Sequence, residues 1–211
     1  MKLIKPSYEI WNWNIDNKLI EKCGRVCYQS EPTGDSDNFI KKIVDRGHES
    51  VIEHSSATVS FTVDRGFSHE LVRMRLASYS QESTRYCTYE SGCTFIIPLW
   101  VDIEPGTYDQ YILSKMYNES TYWFDSMLDA EKHYQMLLCK GWAAQKARAV
   151  LPNSLKTQIV MTANAREWRH VFKLRCAQAS HPQMREIMVP LAKDFAQRNA
   201  VLFGEFSKNG V

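Results

Sequence analysis

Ala57 to Val63 alternate strictly between apolar and hydroxyl side chains, with Ala57, Val59, Phe61 and Val63 on one parity and Thr58, Ser60 and Thr62 on the other. A period of two is that of a half-buried β-strand, so this run predicts a strand with one face on a core. At Gly66 the period changes: Phe67, Leu71 and Met74 recur at helical spacing, and the chain must turn from strand to helix within a few residues. Polar residues gather around this corner. His54 and Ser56 share the parity of the strand's polar face, and His69 and Arg73 share a second face of the helix, with Glu70 placed to orient Arg73.

The helix is expected to run into Arg73–Tyr86, RMRLASYSQESTRY, which concentrates three arginines, several hydroxyls and a carboxylate. On a helix Arg73 and Arg75 would point about 200° apart, so one element could serve two ligands. Ser78, Ser80, Ser83 and Thr84 both donate and accept, and Arg85 adds a planar fork suited to phosphate oxygens. A phosphorylated ligand fits this chemistry. The plainer alternative is a helix C-terminus whose arginines complement the dipole before a solvated loop. Met74 is equally readable as a core residue or as a ligand contact.

Other elements read as scaffold. Asp16 is expected to cap a helix with Leu19, Ile20, Cys23, Val26 and Cys27 on its buried face. Ser36 caps a second helix, with Phe39, Ile40, Ile43 and Val44 buried and Gly47 as its stop. Thr94–Ile97 reads as a short strand ended by Pro98. Thr107 and Gln110 suggest a capping box opening a long helix through Tyr111, Phe124, Met127, Leu128, Leu137 and Leu138 to Gly141. A short helical piece carrying Arg148 stops before Pro152. Ile159–Thr162 reads as a strand, and Asn164 with Glu167 as a capping pair for the next helix. There Trp168, Val171, Phe172 and Arg175 fall on one stripe, while Arg166, Arg169, His170 and Lys173 face elsewhere. An arginine on an apolar stripe needs an anion or a structural ion-pair partner, which makes Arg175 a site candidate. Pro182 begins a last helix, burying Met184, Ile187, Met188, Leu191 and Phe195, with a kink expected at Pro190.

The elements together define an α+β (mixed α/β) chain, an antiparallel-rich central sheet flanked by helices in a single domain, 1–211. No GxGxxG fingerprint is present, so a Rossmann fold is not expected. With 44% hydrophobic and 24% charged residues the chain is an ordinary globular one, and a net charge of +2 argues against wholesale nucleic-acid binding. No apolar run is long enough for a signal peptide or a membrane span, which predicts a cytoplasmic protein with no membrane partner. Six cysteines lack CxxC spacing, so reduced thiols and no metal site are expected.

Arg-x-Arg, seven residues, then Ser-x-Arg-Tyr resembles the signature of the flavin-dependent thymidylate synthases, with Met74 in place of that family's middle histidine. The acidic-His pair Glu53-His54, Arg148 before Leu-Pro, and NAREWRHVFKLR extend the resemblance from about His54 to Glu186. It implies an enzyme that makes dTMP from dUMP with methylenetetrahydrofolate and NADPH as cosubstrates and FAD as cofactor. It assigns the substrate to Glu70, Leu71, Val72, Arg73, Gln81, Glu82, Ser83, Thr84, Arg85, Arg148 and Arg175. Arg175 would be the catalytic group that activates the uracil ring. FAD would be held by His54, Ser56, Arg73, Met74, Arg75, Gln81, Asn164, Arg166 and His170, within a homotetramer whose sites are shared between subunits. A different class stays open on the residues alone: Arg, Trp and Tyr interleave as in a nonenzymatic RNA- or single-strand-binding protein.

Overall fold

Two nine-residue strands, β3 (Ser56–Asp64) and β7 (Lys156–Asn164), carry the alternation read from the sequence. They lie side by side in the middle of a four-stranded antiparallel sheet of order β2-β3-β7-β4, with β2 at Ser7–Asn14 and β4 at Ala77–Gln81. The apolar parity of β3 is buried, while on the polar parity the hydroxyls of Thr58 and Thr162 meet at 2.9 Å. This computed structural model describes residues 1–32, 34–109 and 119–207. A second, three-stranded sheet has β1 (Lys2–Ile4) at its centre, parallel to β5 (Thr94–Ile96) and antiparallel to β6 (Gly106–Thr107). The fold is α+β, as expected.

Contacts divide the chain into two compact units. One comprises Met1–Ser7, Phe61–Arg73 and Ser80–Ile159; the other comprises Tyr8–Ser60, Met74–Tyr79 and Val160–Val211. In the first, Leu3, Phe95, Phe124, Met127, Tyr134 and Leu155 form the buried core. In the second, α6 (Ala165–Arg175) and α7 (Pro182–Arg198) build an aromatic core. The ring of Phe195 lies 5.1 Å from Trp168 and 5.0 Å from Phe172, and the Trp168 indole donates to the Ala57 carbonyl at 3.1 Å. Met184, Ile187, Met188, Leu191 and Phe195 are all buried, and α7 stays helical through Pro190.

Four expectations are corrected. The buried face of α1 (Asn17–Tyr28) is Ile20, Glu21 and Gly24, and Val26 is 73% exposed. Close approach decides this: a Cβ on Gly24 would lie 2.7 Å from the Phe39 ring, and buried Glu21 takes hydrogen bonds from Arg25 (2.9 Å) and Ser36 (2.7 Å). Asp35, rather than Ser36, therefore caps α2 (Ser36–Asp45), accepting from the Asn38 amide at 3.0 Å. The motif helix α3 (Arg65–Leu71) stops at Leu71, so Arg73 and Arg75 lie in the turn after it, not on opposite sides of one helix. Thr107 pairs with Lys2 in β6 instead of opening a helix; α4 runs Ser120–Cys139 and the short α5 Ala144–Ala147, and Gln110 and Tyr111 lie outside the described residues. Phe124, Met127 and Leu128 are buried on α4, with Leu137 and Leu138 half-buried.

The corner from β3 into α3 is closed by Asp64, whose buried carboxylate accepts from the Phe67 amide at 2.6 Å. Removing a cap of this kind costs about 1–2 kcal/mol. Asp64→Ala is expected to lower the urea midpoint by a corresponding amount with an unchanged m-value, as measured by circular dichroism.

Candidate functional site

The first unit collects one polar group. β7 pairs beyond the end of β4, where the Glu82 amide donates to the Gln158 carbonyl at 2.9 Å, and this fixes where the loop Glu82–Arg85 leaves the sheet. Both Glu82 oxygens are engaged, one by Lys156 at 2.6 Å and the other by the Tyr89 hydroxyl at 2.9 Å. Burial, reinforced by that carboxylate, pushes the Tyr89 phenol well up. Ser83 turns the loop: its hydroxyl accepts from the Arg85 amide at 3.3 Å, and its carbonyl accepts from the Cys87 amide at 2.9 Å. Arg85 is exposed, its guanidinium 5.4 Å from the Tyr86 ring centroid.

Beside this loop lies a pocket of about 300 Å³ lined by Arg65, His69, Thr84, Arg148, Asn153 and the apolar Leu155, among others. Arg148, carried by the 3-10 turn Arg148–Val150, donates to buried Thr84 at 3.0 Å. Arg65 donates to Thr157 at 3.4 Å and to the Glu82 carbonyl at 3.5 Å. Among the described residues neither guanidinium pairs with a carboxylate. Two cations facing hydroxyls and carbonyls in one recess suit an anion. Thr84 and Arg148 were read from the sequence as site residues, His69 was placed on the helix face of Arg73 without a role, and Arg65, Asn153, Lys156 and Thr157 were not singled out. Arg65 had one available signal, its place between the strand and Gly66; Thr157 had none, because only the pairing of β7 brings it there.

Glu70, Leu71, Val72, Arg73 and Gln81 also belong to the first unit, and the second holds His54, Ser56, Met74, Arg75, Asn164, Arg166, His170 and Arg175. His54 ends the 3-10 turn Glu49–His54 and is exposed, with half-buried Ser56 just beyond it on β3. The Ser55 carbonyl accepts from the Ala165 amide at 2.8 Å, which brings this segment beside the start of α6. Asn164 caps α6 by accepting from the Glu167 amide at 2.8 Å, so its side-chain oxygen is committed to the helix. Arg166 is held by Glu53 at 2.6 Å and Glu49 at 3.6 Å, and His170 is exposed. Met74 is buried, its carbonyl accepting from the Tyr79 hydroxyl at 2.7 Å, while Arg75 is exposed.

Arg175 is half-buried at the end of α6. Tyr79 lies within the field of Arg175 and Glu167. Burial first, then the Glu167 charge, push its phenol up to about 12 against the opposing pull of Arg175. Desolvation also raises the Glu167 carboxyl above its ordinary value, and His170 counters it. In the first unit, burial pushes the Cys93 thiol up to about 12; all six cysteines are unbridged.

The family profile described as thymidylate synthase complementing protein matches residues 10–198. The chain is 34% identical over 209 residues to a flavin-dependent thymidylate synthase of Mycobacterium avium, covering 93% of this chain and 82% of that one. Among solved structures it is similar to the UMP/dUMP methylase PolB from Streptomyces cacaoi bound with 5-Br dUMP. The TM-score is 0.79 at 25% identity, over 100% of this chain and 98% of that one. Thymidylate Synthase X from Helicobacter pylori with FAD and dUMP shares the fold at a TM-score of 0.76 and 19% identity, over 96% and 99% of the two chains. Fold and sequence thus define an enzyme of the flavin-dependent methyltransferase class. The chain belongs to the flavin-dependent thymidylate synthase family, which displaces the nonenzymatic nucleic-acid-binding reading.

The raised Glu167 carboxyl carries a stability consequence of definite sign. Because its folded pKa lies above the unfolded one, folding is favoured while the group is protonated, and that contribution is lost as pH rises through the folded value. Glu167→Gln is expected to flatten the fall in melting temperature between the ordinary carboxylate range and neutral pH. Parallel slopes for the two proteins would exclude Glu167 as its source.

Proposed function

We propose that this enzyme makes dTMP from dUMP by reductive methylation, with methylenetetrahydrofolate as one-carbon donor and FAD, reduced by NADPH, as hydride carrier. The observation that carries the reading is the recess in which Arg65 and Arg148 face hydroxyls with no carboxylate partner among the described residues, in a family of this activity. A nucleotide phosphate is the anion such a recess recognises. Arg65 and Arg148, with Arg73, Arg85, Ser83 and Thr84, hold the phosphate, while Glu70, Leu71, Val72, Gln81 and Glu82 line the nucleotide. Glu82 is already tied to Lys156 and Tyr89, which fixes where its carboxylate stands.

FAD fits the donors of the second unit. His54, Arg75, Arg166 and His170 are solvent-facing nitrogen groups, and Ser56 adds a hydroxyl, a set suited to a pyrophosphate and the polar edge of a flavin. Asn164, its oxygen used by the helix cap, has only its amide N–H groups to give. Arg73, Met74 and Gln81 complete the assigned set. When bound, the flavin supplies the hydride. Arg175 stabilises the negative charge that the uracil carbonyls acquire, where a preorganised donor is most effective. The whole chain, 1–211, works as one domain in a cytoplasmic homotetramer with sites shared between subunits, and neither nucleic acid nor membrane is a partner.

Arg175→Ala is expected to retain the flavin colour and the melting temperature while losing about a hundredfold or more in dTMP formation. Near-normal turnover would remove Arg175 from the chemistry. Arg85→Ala is expected to weaken dUMP binding more than deoxyuridine binding in titration calorimetry; equal losses would mean that Arg85 does not read the phosphate.

A further inference from the structure

A chain of hydroxyls in the first unit fixes one amide whose orientation has a chemical meaning. Ser68 lies on α3, wholly buried, and its hydroxyl donates to the Arg65 carbonyl at 2.9 Å. The Gln81 amide approaches the same hydroxyl at 2.8 Å and the Thr157 hydroxyl, also wholly buried, at 3.2 Å. A serine hydroxyl has a single proton, and a backbone carbonyl can only accept. With the amide oxygen against Ser68, two acceptors would compete for that proton, and burial keeps water from relieving the loser. With the nitrogen there, every contact joins a donor to an acceptor. Thr157 fits the same arrangement, because Arg65 can only donate to it.

Both Gln81 N–H groups are therefore committed, one to Ser68 and one to Thr157, and Oε1 is turned away from both hydroxyls. Among the described residues no donor meets that oxygen. A half-buried acceptor held this way selects a ligand donor and rejects an acceptor, since the amide cannot flip without breaking two bonds. We propose that Ser68 and Thr157 are positioning residues that lock Gln81 as an obligate acceptor, and that Gln81 reads a ligand's imide N–H. This inference rests on the reading given under Proposed function, in which a uracil nucleotide and a flavin are both bound. Each ring carries one imide N–H between two carbonyls, so the recognised chemistry is common to the two.

The test compares N–H ligands with their N-methylated counterparts. Dissociation constants are measured for dUMP against N3-methyl-dUMP on the FAD-loaded enzyme, and for FAD against its N3-methyl analogue on the flavin-free enzyme. The wild type is expected to prefer the N–H form of one pair by about tenfold, the worth of one hydrogen bond. Preference within the nucleotide pair assigns the contact to uracil, and preference within the flavin pair assigns it to the cofactor. Ser68→Ala combined with Thr157→Val should lose most of the preference, and Thr157→Ser should keep it. Should the double variant fail to fold, Ser68→Ala alone is decisive. With glutamine side chains labelled by ¹⁵N and the signal identified by its loss in Gln81→Leu, its amide protons should exchange faster than in the wild type. Equal binding of methylated and unmethylated forms in both pairs overturns the inference while leaving the proposed function intact, as does unchanged amide exchange in Ser68→Ala. Failure of the wild type to bind either dUMP or FAD overturns both.

Discussion

Two strand-to-helix corners of the same construction govern where many of the candidate site residues stand. Strand β3 ends in Asp64 and β7 in Asn164; each residue is extended in backbone, and each uses its side-chain oxygen to take the amide three residues on, at 2.6 and 2.8 Å. The capped residue begins its helix with no linker between, so the direction of the strand sets the direction of the helix. Arg65 and Ser68 follow the first corner, and Arg166, Glu167, His170 and Arg175 follow the second. Paired strands that exit through capped corners hold these side chains more tightly than surface loops would, which is what a site built on oriented donors requires.

How much of this could be read from the sequence depended on the range of the interaction. Local signals were dependable: the alternation of Ala57–Val63, the Asn164–Glu167 capping pair, Pro182 opening a helix, and the apolar spacing of Met184 to Phe195 all correspond to what forms. Periodicity misled where packing turned on one close approach. In α1 the count of apolar residues favours Leu19 and Val26, yet Gly24 admits the Phe39 ring and sets the buried face. Periodicity also carried the motif helix too far, because Met74 sits at helical spacing and is buried although the helix has already ended. Strands β1, β2, β4 and β6 escaped notice, three of them being short and all four taking their identity from partners distant in sequence.

For the candidate site the division is similar. Residues within the Arg73–Tyr86 motif and the Asn164–Arg175 block stood out by type and spacing, and the family resemblance assigned them. Their supporting groups did not. Thr157 and Lys156 look like unremarkable strand residues, and only the register of β7 beside the Gln81–Glu82 segment reveals that one takes two hydrogen bonds and the other neutralises a carboxylate. Residues whose role is to hold another residue carry little signature in a single sequence, because their chemistry is ordinary and their placement is the whole of their function.

Arg166 is engaged twice, by Glu49 and by Glu53, so its charge is already shared between two carboxylates. An anion arriving there does not meet a bare cation; it trades places with carboxylates that must then find water or other partners. What the exchange yields is the difference between two ion pairs at an exposed position, a small quantity compared with either. An exchange of this kind would favour a ligand that brings two or more negative oxygens in a fixed array over a simple monovalent anion.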